Sequence, residues 1–97
     1  MNPITMYLAA FCAALEALAP PADAKRAAEA QLVHVNLPIP TAAELRDGVE
    51  PGEIYCAVYR VFAGQRPSDA HRLAASAVQA LGLEVPAFGP SPATVAA

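Results

Sequence analysis

The sequence predicts a small, mostly α-helical domain, a bundle of four to five short helices. Two observations support this: apolar residues recur three and four positions apart, and prolines, capping residues and glycines stand where helices would begin and end. A chain of 97 residues corresponds to one domain with one compact core. We expect the helical domain over residues 1–83 and a proline- and alanine-rich tail over 84–97.

The first helix is predicted from Pro3 to about Leu18. Asn2 is a favourable N-cap, and a proline at the first helical position loses no hydrogen bond. The prolines at positions 20 and 21 end the helix. One side carries the large apolar residues of a core-facing seam: Ile4, Leu8, Phe11, Leu15 and Leu18.

The opposite side of this helix is also uncharged and carries Met6 and three alanines, Ala9, Ala13 and Ala17. Small residues four positions apart allow another backbone to approach closely. We therefore expect the first helix to be buried on two sides and packed tightly between neighbours.

The middle of the chain predicts two more helices and a connector. Residues 22–32 are rich in strong helix formers. Residues 33–39 alternate apolar and other residues but contain proline, which predicts a short extended segment, an edge strand or, as we favour, a connector. Thr41 and Glu44 form a capping-box pattern that begins a short helix, and Gly48 ends it.

Residues 54–62 are β-branched and aromatic, which is typical of a strand, but their periodicity favours a helix. Wound as a helix, the segment places Glu53, Cys56 and Arg60 in one polar stripe and leaves the large apolar residues on the core side. A strand would place Arg60 on the same face as three of those apolar residues.

The last helix is predicted to begin at a Ser68 cap. Its core face comprises Ala70, Leu73, Ala74, Ala77, Val78 and Leu81. Gly82 followed by Leu83 resembles a Schellman stop, in which Leu83 folds back on Val78.

Composition excludes several classes of function. The net charge of −3 and a pI near 5.1 argue against nucleic-acid binding, which needs clustered lysine and arginine. No apolar stretch reaches the roughly 20 residues of a membrane span. Cys12, Cys56, His34 and His71 lack the short spacings of a zinc site, so we expect no metal. The sequence carries no catalytic constellation or nucleotide-binding loop, and a chain this small offers little room for a substrate pocket, so we expect no cofactor and no enzymatic activity.

Two separated cysteines without a CxxC pair fit thiols in a reducing compartment, so we expect a cytoplasmic protein. The stretch 4–19 followed by Ala22, Asp23 and Ala24 resembles a signal peptide and its cleavage site. No basic residue precedes that stretch, and Glu16 interrupts it. A small exported protein with a cleaved N-terminal segment stays an alternative.

Hydrophobic residues make up 56% of the chain and charged residues only 15%, against about 25% charged in an ordinary domain. This imbalance predicts a surface that binds another protein. We expect a non-catalytic accessory subunit, adaptor or inhibitor docked on a larger assembly, of the kind that phages and mobile elements encode. The alternative is a structural protein that associates with its own copies. The predicted partner-binding residues are small, aromatic or basic: Ala9, Ala13, Ala17, Tyr59, Arg60, Arg66 and Arg72.

Overall fold

The computed structural model describes residues 2–85, which form five α-helices, one 3-10 turn and no strand. The predicted class, a small and mostly α-helical bundle, is confirmed. Of the tail predicted over 84–97, only Glu84 and Val85 lie among the described residues. In chain order the elements are α1 (Pro3–Glu16), α2 (Pro21–His34), α3 (Ala42–Gly48), α4 (Pro51–Gln65), the 3-10 turn (Pro67–Asp69) and α5 (Ala70–Ala80).

The four longer helices form two hairpins that pack on each other. The most extensive contacts join α1 to α2 and α4 to α5, which are neighbours in sequence. Contacts of α1 with α4 and of α2 with α5 then close the four helices around a single core. The short α3 and the residues beside it connect the hairpins.

The core contains large side chains from α1 and α4 and mostly small ones from α2 and α5. In α1 the buried residues are Tyr7, Phe11 and Leu15, and in α2 they are Ala24, Ala28 and Leu32. The two buried alanines of α2 let its backbone lie close to the aromatic residues of α1. Tyr7 completes the aromatic part of the core, although the seam predicted from the sequence did not include it.

Most of the predicted helix starts are confirmed. The Asn2 Oδ1 atom accepts a 2.8 Å hydrogen bond from the Ile4 amide. The capping box is complete: the Glu44 amide donates to Thr41 Oγ1 at 3.1 Å, and the Thr41 amide donates to Glu44 Oε1 at 2.9 Å. Residues 54–62 are helical, as their periodicity predicted, and lie within α4. Glu53, Cys56 and Arg60 are exposed, as expected.

Three helices end in the same way, with one residue in the left-handed region. After α5, Gly82 has φ 80°, and the Leu83 amide donates to the Val78 carbonyl, which is the predicted Schellman motif. Leu18 (φ 70°) ends α1 and Asn36 (φ 60°) ends α2 with the equivalent pair of backbone hydrogen bonds. Of these three left-handed residues only Gly82 is a glycine, so only this left-handed turn could be predicted from the sequence.

Three predicted boundaries are wrong. Leu18 is not part of the core seam: α1 ends at Glu16, and the left-handed turn leaves the Leu18 side chain 75% exposed. Ser68 does not cap α5, because Pro67 opens a 3-10 turn that includes Ser68 and leaves Asp69 as the N-cap. The possible extended segment at 33–39 begins later than predicted, since α2 continues through His34, and it pairs with no strand in the described part of the chain.

The expectation that α1 is buried on two sides is also wrong for the isolated chain. Ala9, Ala13 and Ala17 are exposed, because α2 and α4 cover the other sides of the helix. The uncharged second side of α1 therefore faces solvent.

We expect Leu18→Gly to stabilise the fold by about 1 kcal/mol. A leucine in the left-handed region is strained, whereas glycine adopts this conformation readily. Urea unfolding measures the difference. Leu18→Ala is the matched control, since it removes the same exposed side chain but keeps a Cβ atom at positive φ. Equal gains from the two variants would contradict the backbone explanation.

Candidate interaction surfaces

The exposed side of α1 is the first candidate surface. Its exposed residues are Thr5, Ala9, Ala13 and Glu16, and Ala17 continues it at the C-cap. A surface helix of a soluble domain normally presents charged and polar residues to water. Here the single charge, on Glu16, lies at the end of the helix, so the rest of the exposed surface is uncharged.

An open groove of about 610 Å³ lies beside these alanines, between α1 and α2. No charged residue lines it. Ala9 and Ala13 are residues predicted from the sequence to bind a partner, whereas the α2 residues that form the other wall of the groove were not predicted. The spacing of the alanines in α2 could have indicated this wall. Ala24 and Ala28 are buried in the core, and Ala27 lies on the neighbouring, exposed row of the same helix. The lining residues are Thr5, Met6, Ala9, Ala10, Ala13, Ala27 and Gln31.

The second candidate surface lies on α4, where Tyr59 is 40% exposed and Arg60 follows it. The ring of Tyr59 stacks on that of Tyr55, with 5.9 Å between centroids. A hydrogen bond joins the Tyr55 hydroxyl to Nδ1 of His71 on α5. Tyr55 is buried and tied to α5, so it holds Tyr59 in place at the surface.

Arg66 and Arg72, the other two predicted basic residues, are also exposed. Arg66 is the C-cap of α4, and its amide donates to the Phe62 carbonyl at 2.6 Å. Arg72 lies on α5, and its guanidinium pairs with Asp69 at 3.3 Å. The Asp69 carboxylate thus already offsets the charge of Arg72.

The two surfaces lie on different helices, and α1 contacts α4 through a side other than its alanine side. Leu8 and Phe11 of α1 line a small apolar groove of about 170 Å³ together with Ile54 and Val58 of α4. These residues belong to the contact between α1 and α4, whereas Ala13 lines the groove toward α2. All seven residues predicted to bind a partner are exposed, but they do not form one surface: the three alanines lie on or next to α1, Tyr59 and Arg60 lie on α4, and Arg66 and Arg72 lie at the C-cap of α4 and on α5.

Cys12 of α1 is a free, partly buried cysteine. Burial, and secondarily the nearby Glu16 carboxylate, raises the pKa of the Cys12 thiol. A raised pKa disfavours the thiolate that a nucleophilic cysteine requires. No group of three or more histidine, cysteine or acidic residues within 2–85 is arranged to hold a metal ion.

Comparison with known proteins gives no relative: no protein-family model, no curated protein and no solved structure matches the chain. Among the described helices, none combines the length and the apolar character needed to cross a membrane. The physical features of the two surfaces are thus what supports a function.

Proposed function

We propose that this chain is a non-catalytic protein-binding module, a small accessory subunit, adaptor or inhibitor, that docks on a larger assembly through the exposed alanine side of α1. The observation that carries this proposal is the absence of charge from that side between Thr5 and Ala13, beside an open groove that is also uncharged.

The partner fitted by this surface is an uncharged helix of another protein. Alanines on the rows of α1 and α2 let a third helix approach closely and place its side chains in the groove. A charged helix would lose its hydration there without gaining a partner for its charge. Helix-in-groove binding is a common mode of recognition, and it needs no rearrangement of the bundle.

We expect Ala13→Arg to lower binding of the natural partner about tenfold or more, because the arginine projects a charge into the docking surface. Ala13 is exposed, so the fold itself tolerates the change. The intact chain, carrying a photo-crosslinking residue at Ala9, is expressed in its native cell, and crosslinked proteins are quantified by mass spectrometry.

The matched control is Ser76→Arg, which adds the same charge at an exposed position of α5. The proposal requires a crosslinked protein that is lost with Ala13→Arg and kept with Ser76→Arg, with unchanged circular dichroism for both variants. A crosslinking pattern that is the same for both variants, or no crosslinked protein at all, would contradict it.

A further inference from the structure

The exposed side of α4 carries small residues at its centre and opposite charges on either side of them. Glu53, Cys56, Ala57 and Arg60 are all exposed and follow the spacing of one helix face. Glu53 and Arg60 are seven residues apart, about 10 Å along the helix axis, which is too far for them to pair with each other. Among residues 2–85, neither side chain forms an ion pair.

This pattern is complementary to itself when the helix is reversed. The midpoint between Glu53 and Arg60 falls between Cys56 and Ala57. A second α4 that runs antiparallel across this midpoint places its arginine beside the glutamate of the first copy and its glutamate beside the arginine. A two-fold contact requires a surface with this kind of self-complementarity.

We propose that two copies of this chain associate through α4, antiparallel, about a two-fold axis between Cys56 and Ala57, with Glu53 of each copy facing Arg60 of the other. The small side chains at the centre permit close approach of the two helix backbones. This surface is separate from the alanine side of α1, and the inference does not depend on the function proposed for that side.

The residues around the exposed face of α4 also favour a second copy of the chain as its partner. The apolar groove of about 170 Å³ between α1 and α4 lies beside it, with Ala57 and Glu53 among its lining residues. Tyr59 is 40% exposed at the flank of the face and is held there by Tyr55. A second copy that packs over the midpoint covers this groove and pairs the charges of Glu53 and Arg60. An uncharged protein on the same face would leave both charges without a counterion.

Charge reversal tests the register directly. We expect the natural chain to be a dimer at about 0.1 mM and low ionic strength by analytical ultracentrifugation, in the weak range expected of a small interface. Glu53→Arg and Arg60→Glu, each alone, should lower the association constant about tenfold or more, because like charges then face each other at two symmetric positions.

Mixing the two single variants provides the decisive comparison. The Glu53→Arg chain carries arginine at both positions of the face, and the Arg60→Glu chain carries glutamate at both. Opposite charges therefore meet at both contacts of a mixed pair, so a heterodimer should form although neither variant associates alone. Native mass spectrometry, with one variant isotopically labelled, detects it. The double variant Glu53→Arg/Arg60→Glu restores both pairs in one chain and should also dimerise.

A thiol crosslink tests the position of the axis. In a Cys12→Ala background the remaining Cys56 lies next to the axis, so a short bis-maleimide should produce a covalent dimer at the protein concentration at which the natural chain associates, about 0.1 mM. The matched control is Ser76→Cys in a Cys12→Ala/Cys56→Ser background, where the single thiol is exposed on α5 and should crosslink poorly. Equal crosslinking of the two would overturn the proposed axis.

A natural chain that sediments as a monomer at this concentration would overturn the inference. So would single reversals that remain dimeric, or a mixture that stays monomeric. Ala13→Arg should leave the α4 dimer intact, so failure of the α1 docking proposal and failure of this one give different results.

Discussion

We expect Phe11→Ala to cost about 3–5 kcal/mol of unfolding free energy, which is the usual cost of truncating a fully buried phenylalanine. The Phe11 side chain is 0% exposed and lies among large residues of α1 and α4. The loss combines the transfer of the ring out of the core with the cavity left behind. Since small domains have only about 5–15 kcal/mol of stability, the variant should unfold at much lower urea concentration.

Urea unfolding followed by circular dichroism measures this cost. The matched control is Tyr59→Ala, which also truncates an aromatic residue but at a position that is 40% exposed. We expect the control to cost about 1 kcal/mol or less. A Phe11→Ala variant as stable as Tyr59→Ala would contradict the central place of Phe11 in the core.

The second large effect is a loss of stability at alkaline pH that depends on Tyr7. Burial, and secondarily the Glu29 carboxylate, raises the pKa of Tyr7 from 10.0 to about 12 in the folded chain. The unfolded chain therefore loses this proton first as the pH rises. The contribution to stability is fully present below pH 10 and disappears between pH 10 and 12, and it amounts to about 3 kcal/mol.

Urea unfolding of the natural chain and of Tyr7→Phe at a series of pH values checks this dependence. The natural chain should lose about 2–3 kcal/mol more than Tyr7→Phe between pH 10 and 12. Tyr55, whose pKa burial also raises, is unchanged in both chains and cancels in the comparison. Parallel stability curves for the two chains would show that Tyr7 is not protected from solvent.

The sequence predicted features that depend on a few neighbouring residues. The Thr41 capping box and the Gly82 stop are local hydrogen-bond patterns. The helical form of 54–62 follows from the spacing of Glu53, Cys56 and Arg60, which fall on one face only in a helix. Leu18 was misplaced for a related reason. Its spacing fits the seam of α1, but the helix ends at Glu16 and the left-handed turn at Leu18 directs this residue away from the core. No glycine marks that turn in the sequence.

Features that join distant residues could not be predicted in this way. Gln65 Nε2 at the end of α4 donates to the carbonyls of Leu15 and Glu16, at 3.0 and 3.3 Å, and so caps the last turn of α1. The hydrogen bond between Tyr55 and His71 also depends on how two helices pack. Likewise, the separation of the exposed alanines of α1 from Tyr59 and Arg60 of α4 depends on how α1 packs between α2 and α4.

The order in which the helices pair has a consequence for how quickly the chain folds. The two most extensive contacts, α1 with α2 and α4 with α5, join helices that follow one another along the chain or are separated only by a 3-10 turn. Contacts between such near neighbours close short loops, and helical domains of this kind reach the native state in microseconds to milliseconds. The contacts of α1 with α4 and of α2 with α5 join residues farther apart in the sequence, so they close longer loops at a higher entropic cost.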